Sequence, residues 1–438
     1  MGLAPAAPAY VDSVPPMPTG GNIDDRRLGI GATLYLPVQV AGGLLSMGDA
    51  HTAQGDSELD GTGIETHITG DFTINLIKGG SSMPAFLKDL NMPLLENDSE
   101  YVIHGFTYTD YLTELGYTKT ACNGAAFNFL GGNATYNPIG CAPGGAIYGQ
   151  SAIEPAMANA HKQARDFLMK LGYDEDAATT IITLSGDFGT TQIVDGNWGV
   201  HVNIPKYVLE GSQTAPYSQS VTCGGSIPST STPVVPTGCP AAGCDYALTA
   251  NASTVNWVFY SSMVSPALSV MSGKTVSVEM LSHHAGDFYS GMIQNDAGIE
   301  SIYAWGINGG GTAPGTTATA HMRGASGGGD GVHILTGPIY VSDSNGPAAP
   351  GDVIKVDILS LKPRLNPSGK SYGALSYLGR FSVSATTDSI EWPCRYQRRR
   401  LVGIPLRREW SAGAPLVVYV YRLHWQVSDR LRHWRPGS

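Results

Sequence analysis

A chain of 438 residues with a net charge of −10 and a pI near 5.5 lacks the basic face that phosphate binding requires, which excludes nucleic acid as a partner. Only 14% of its residues are charged and 56 are glycine, against roughly 25% charged and about 7% Gly in an ordinary globular domain. No apolar run approaches the roughly 20 residues of a membrane span, so no membrane partner is expected either.

Glycine and proline fall between short apolar runs, the pattern of many short strands joined by tight turns. The first stretch, "MGLAPAAPAYVDSVPPMP", has neither the basic start nor the apolar core of a signal peptide, which makes the cytoplasm the default compartment. Residues 29–46 alternate as strands around glycines. Residues 63–79, "GIETHITGDFTINLIKG", continue as strands with a turn expected at Gly70-Asp71. Between them lies "MGDAHTAQGDSELDG", residues 47–61, a strand connection dense in carboxylates.

Residues 153–171 carry apolar positions at a spacing near 3.6, with Pro155 in the first turn and Gly172 as the stop, which predicts a helix. A second helix is expected to start at Asp174. Residues 196–209 return to strand. The Ser/Thr/Pro/Gly-rich stretch 211–252 reads as a linker. Strands resume over 254–287, in "GVHILTGPIYV" and in "GDVIKVDILSLKPR". Beyond residue 376 the character changes: 11 of the 16 arginines and four of the seven tryptophans lie there, and no lysine. Residues 376–438 are therefore expected outside the core, as an atypical and non-native tail, with "PLVVYVYRLHWQV" as a strand being the rival reading. Cys122, Cys141, Cys223, Cys239, Cys244 and Cys394 sit mostly in loops and suit disulfide staples better than zinc pairs. With sequons at Asn97, Asn133 and Asn251 they hint at a secreted parent.

The dense connection poses the functional question. Asp49 and His51 are two residues apart and share a strand face; Asp56 and Glu58 do the same. Mixed His/carboxylate sets suit zinc or manganese, and carboxylates with carbonyls suit calcium; a solvated turn is the bland alternative. Glu65 falls inside an apolar strand, where a carboxylate must be paired, coordinated or neutral. "SHHAGD" adds His283, His284 and Asp287 at a strand end. His333 has the choice between a ligand and a buried hydrogen-bonded role, and His201 reads as structural. No nucleophile elbow, Walker loop or dinucleotide fingerprint occurs.

The run from "LGIGATLYLPVQV" through "GDAHTAQGDSELDGTGIET", together with "TQIVDGNWGVHVNIPK", resembles the acetamidase/formamidase family, as do "NWVFYSSMVSPALSVMSGKTVSVEMLSHHAGD" and the two later strand runs. The halves stand in exchanged order: 1–210 resembles the C-terminal part of the family and 253–375 its N-terminal part, as in a circular permutation. The resemblance implies a mainly β fold, a jelly-roll-like β-sandwich with a smaller α/β portion. It also implies hydrolysis of short aliphatic amides, formamide or acetamide, to carboxylate and ammonia. By the same resemblance, Asp49, His51, Asp56, His283, His284 and Asp287 hold a divalent metal, zinc first and calcium second. Glu58, Glu65 and Gln54 then serve catalysis. A small amide is the expected partner, and a homo-oligomer the expected assembly. Two other readings stand beside this one: a β-sandwich binding module with structural calcium, and an inactive permuted amidase relative.

Overall fold

Along Thr33–Pro37 (β1), Leu34 and Leu36 point to one face and Tyr35 to the other, and all three are buried. A strand with no solvent face belongs inside a layered structure. The structure, a computed structural model, describes residues 1–6, 10–59, 61–114, 151–210, 239, 243–257, 259–282, 285, 289–303, 333–374, 383–386 and 416–420. Within them the fold is mainly β, two packed sheets with helices on one outer face, as the sequence predicts.

The strands that build it are Leu45–Gly48 (β2), Glu65–Thr66 (β3), Ile68–Ile77 (β4), Leu94–Glu96 (β5) and Glu100–Phe106 (β6). They are followed by Asp187–Gln192 (β7), Gly199–Pro205 (β8), Tyr246–Leu248 (β9), Val255–Trp257 (β10) and Leu268–Met271 (β11). Lys274–Met280 (β12), Ile334–Asp343 (β13) and Val353–Pro363 (β14) complete the two sheets apart from one two-residue strand. The large sheet has nine strands in the order β9-β12-β4-β14-β1-β5-β6-β8-β7. The second is organised on β13, which pairs with β10, β11, β2 and the two-residue strand Gly346–Pro347. Strands from 1–210 and from 253–375 thus alternate within one sheet: β14 is bonded to β4 on one side and to β1 on the other.

The core follows from the alternation. Leu34, Leu36, Phe72, Ile74, Val276, Val278 and Val356 of the large sheet pack against Leu45, Met47, Ile339 and Val341 of the second. On the opposite face, the helix Ile153–Lys170 (α1) lays Ala156, Ala160, Ala164 and Phe167 over Ile103, Val200 and Val202. Gly172, at φ +101°, stops it. The next helix, Glu175–Ser185 (α2), is capped by Asp174, whose carboxylate accepts the Ala177 N–H.

Three local expectations change. Gly70-Asp71 makes no turn, because β4 runs through it. Gly70 is there for clearance, since a Cβ would stand 2.5 Å from the Phe72 ring. Strand β8 ends at Pro205, and Lys206–Glu210 coils into a short helix. Inside the stretch read as linker, β9 pairs in parallel with β12, and a Cys239–Cys244 disulfide precedes it. The other four cysteines lie outside the described residues. Of the tail, Val383–Thr386 and Leu416–Val420 are described; they are strands, and the second pairs with Ser371 and Tyr372. The rest of 376–438 lies outside the described residues. Among those described, no helix is long and apolar enough to cross a membrane.

Helix α1 docks closely on β6. A Cβ on Gly105 would stand 2.0 Å from the Ala160 nitrogen and 2.6 Å from the Ala156 carbonyl oxygen, both backbone atoms that cannot swing away. Gly105→Val should therefore lower stability by about 2 kcal/mol or more, in the upper range of overpacked cores. Gly55→Ala, whose Cβ meets nothing within 4 Å, should stay within about 0.5 kcal/mol. Urea unfolding of the two variants checks both values.

Candidate active site

Residues 50–53 lie antiparallel to residues 64–66, joined by Thr52 N–H to Ile64 O, Ile64 N–H to Ala53 O and Thr66 N–H to Ala50 O. This pairing sets His51 directly opposite Glu65. The imidazole Nε2 is 2.9 Å from Glu65 Oε1 and 3.8 Å from Asp49 Oδ2, and Nδ1 is 3.8 Å from Glu58 Oε1. His333 closes the far side, its Nε2 3.1 Å from the same Asp49 oxygen. Two glycines make room for this arrangement. A Cβ on Gly63 would stand 2.8 Å from the His51 ring, and one on Gly48 would stand 1.9 Å from the Ile334 carbonyl oxygen.

The orientation of His51 is fixed by hydrogen-bond logic. Gln54 Nε2 donates to the Asp24 carbonyl at 2.5 Å, and a carbonyl can only accept. Gln54 Oε1 must then face His51 Nδ1, 2.7 Å away, so Nδ1 carries a proton. Nε2 is left aimed between Asp49 and Glu65. Glu65 is held in turn by Thr62 Oγ1 at 3.1 Å and Ser282 Oγ at 2.9 Å. Burial opposes a charged imidazole, but Glu65 beside it, with Asp49 and Glu58, outweighs that and holds His51 well above its usual pKa.

Behind Gln54 lies a second group of acids. Asp24, Glu58 and Asp195 bring carboxylate oxygens within 4.8 Å of one another. Carboxylates this close, with Glu58 buried and the other two half-buried, oppose one another's ionisation. Burial, then the charge of Asp24, pushes Glu58 up to about 11. Burial likewise raises Asp24, and raises Asp195 well above the ordinary carboxylate range. Asp24, Asp49 and Glu58 have φ of +52°, +53° and +43°, a left-handed backbone that costs about 1–2 kcal/mol for a residue other than glycine. Such strain is characteristic of functional sites.

The acids edge a cavity of about 480 Å³ whose lining includes Asp24, Asp49, His51, Gln54 and His333. Asp49, His51 and Glu65 present one imidazole nitrogen and two carboxylate oxygens within 4.8 Å of each other. That donor set, in which a cation would take the place of the proton on His51 Nε2, fits a divalent cation of the zinc type.

The structure treats the sequence-derived candidates unequally. Asp49, His51, Glu58, Glu65 and Gln54 come together. Asp56 does not: its carboxylate pairs with Arg26 Nε at 2.9 Å and Arg27 Nη1 at 3.2 Å. The shared face expected for Asp56 and Glu58 fails because Ser57 and Glu58 both have positive φ, which turns Glu58 inward and leaves Asp56 outside. His283, His284 and Asp287 lie outside the described residues. The chain leading to them is tied to the site, since Leu281 O accepts the Asp49 N–H at 3.1 Å. His201 hydrogen-bonds Thr191, away from the cluster. Sequence reasoning missed Asp24 and Asp195. The signal available was Asp195 inside the quoted "TQIVDGNWG" run.

Residues 3–210 match the family model described as the Acetamidase/Formamidase family. A formamidase of Methylophilus methylotrophus is 45% identical over 76 residues, 17% of this chain and 19% of that protein. An acetamidase of Mycolicibacterium smegmatis is 34% identical over 111 residues, 24% of each. The matched stretches span about a fifth to a quarter of the length of these relatives. Among solved structures, an acetamidase from Bacillus halodurans aligns at 20% identity over 48% of this chain and 57% of that one, with a TM-score of 0.30.

One histidine at the back of the site sets a pH dependence. His67 Nδ1 accepts the Ser282 N–H at 3.2 Å, and burial, aided by the charge of Arg364, lowers it to about 3. The unfolded chain, with a histidine pKa near 6.5, takes up a proton that the folded chain refuses. Stability is therefore complete above about pH 6.5 and is lost as pH falls towards 3. The share due to His67 should be on the order of 3 kcal/mol between pH 7 and pH 4. Urea unfolding across this range should show a steeper fall for the wild type than for His67→Asn.

Proposed function

From the match of residues 3–210 to the acetamidase/formamidase family model, we propose that this chain hydrolyses primary amides to carboxylate and ammonia, at the cavity edged by Asp49, His51 and Asp24. The observation that carries this reading is the convergence of Asp49, His51 and Glu65 beside a cavity, within the matched segment.

Asp49, His51 and Glu65 would hold a divalent cation, zinc by donor type, with His283, His284 and Asp287 as further candidates. Bound there, such a cation polarises the amide carbonyl and lowers the pKa of water towards about 7. The chain supplies the rest. Gln54 orients His51, Thr62 and Ser282 orient Glu65, and His333 fixes Asp49. Hydrolysis adds water to the carbonyl carbon, breaks the C–N bond and requires a proton on the departing amine. Asp24 lines the cavity, one of its buried oxygens has no hydrogen-bond partner, and its carboxylate lies within 4.8 Å of those of Glu58 and Asp195. It is placed to take the water's proton and return it to the amine, the work of a general acid/base. Glu58, expected from sequence to act directly, serves in this reading as the buried reserve behind Asp24.

The test is ammonia release from formamide and acetamide by the metal-loaded chain, with metal content measured alongside. Asp24→Asn should keep the metal and lose turnover by about 10²–10⁴-fold. His51→Ala and Glu65→Gln should lose the metal itself. A well-folded, metal-loaded chain that releases no ammonia from either amide would refute the assignment.

A further inference from the structure

The contacts that orient His51 do not end at Gln54. Gln54 Nε2 donates to the carbonyl of Asp24, and that carbonyl belongs to the peptide bond joining Asp24 to Asp25. Asp24 is left-handed, at φ +52°, in the loop before β1. A loop peptide in a strained conformation persists only where its surroundings hold it. Asp25 supplies the hold. Its carboxylate is buried; Oδ1 accepts the Arg27 N–H at 2.9 Å, and Oδ2 lies 3.0 Å from His104 Nε2. Arg27 belongs to the same loop and reaches β6 through a longer contact, 3.6 Å to Glu100. His104 stands in the large sheet itself, on β6 and opposite His201 of β8. Its Nδ1 faces the Pro93 carbonyl at 3.3 Å. Carbonyl and carboxylate oxygens only accept, so each ring nitrogen of His104 donates to its own partner.

We infer that His104 is a positioning residue of the site: by holding Asp25 it fixes the Asp24 carbonyl, through that carbonyl Gln54, and through Gln54 the nitrogen that His51 turns towards Asp49 and Glu65. This rests on the amidase reading and adds to it a residue that touches neither the candidate ligands nor the cavity. The same bond fixes where the Asp24 carboxyl stands, because both groups belong to one residue.

Two variants separate the two bonds of His104. A glutamine amide nitrogen reaches the place of Nε2 and keeps a donor for Asp25; an asparagine nitrogen reaches the place of Nδ1 and keeps only the donor for Pro93. Three readouts are taken on the full chain. The first is zinc affinity by chelator competition, and the second is ammonia release from formamide and acetamide. The third needs neither metal nor amide: solvent exchange of the His51 Nδ1 proton in the 15N-histidine-labelled chain, its signal identified by loss in His51→Ala. His104→Asn should weaken zinc binding by about 10–100-fold, the range for losing a partner behind a metal ligand. It should lower kcat/KM in step and speed exchange of the His51 proton. His104→Gln should stay close to the wild type in all three. Ala178→Gly, which destabilises α2, should lower Tm and leave all three in place. Equal losses in the two His104 variants make the residue merely structural and overturn the inference, as does His104→Asn indistinguishable from the wild type. Should the wild type bind no zinc and release no ammonia, the amidase reading falls and the His51 proton alone decides: faster exchange in His104→Asn but not in His104→Gln sustains the inference, and equal exchange overturns it. Should His104→Asn fail to fold, Asp25→Asn, which weakens the same bond at unchanged shape, is judged by the same criteria.

Discussion

One imidazole, His51, faces three carboxylates, and the local structure is arranged around the cost of holding its charge there. An ionised group taken out of water is penalised by several kcal/mol unless partners restore what solvent gave. Here Glu65 and Asp49 face His51 Nε2, His333 faces Asp49, and the more distant acids pack closely enough to keep protons. Each solution constrains the backbone. The chain must bring 50–53 against 64–66, position 63 must lack a side chain, and three acids must accept left-handed geometry. Stability is given up at this point, and the large two-sheet core carries it.

Two neighbouring aspartates show how environment divides one residue type into two roles. Asp24 is half-buried with one buried oxygen unpartnered, and its carboxyl is raised. Asp25 is more deeply buried, yet His104 Nε2 lies 3.0 Å from its carboxylate and Arg27 lies 3.3 Å away. Against the penalty of burial, these partners hold Asp25 well below the usual range. Arg27 continues the network to Asp56 and Glu100. The charged residue therefore anchors the loop, and its neighbour, its carboxyl raised by burial, faces the cavity. Asp56 thus belongs to the scaffold that fixes the loop, although its place in the motif looks like that of a ligand.

Most of the fold was legible because strand and helix periods survive in the sequence. Leu34 and Leu36, Phe72 and Ile74, and the alanine stripe of α1 all keep the spacing of their element. What failed was local and had a steric cause. Gly70 reads as a turn residue but serves a passing aromatic ring, and Ser57-Glu58 reads as strand but is left-handed. The site was half legible. Asp49, His51 and Glu65 sit in one dense motif, and burial of an acid in an apolar strand marks Glu65. Asp24 and Asp195 lie 171 residues apart in loops, where aspartate is the ordinary turn residue. Only the fold brings them together.

The insertion of β14 between β4 and β1 bears on how the chain is made. During synthesis the first 210 residues emerge with β1 and β4 lacking the strand that joins them. Until residue 363 has been added, each presents an unpaired row of backbone N–H and C=O groups along an apolar surface. Such edges recruit other chains, and pairings this distant in sequence form slowly. Sheet closure is thus postponed until residue 363 has emerged. The nascent chain depends throughout that interval on dilution or on chaperones that shield exposed strands.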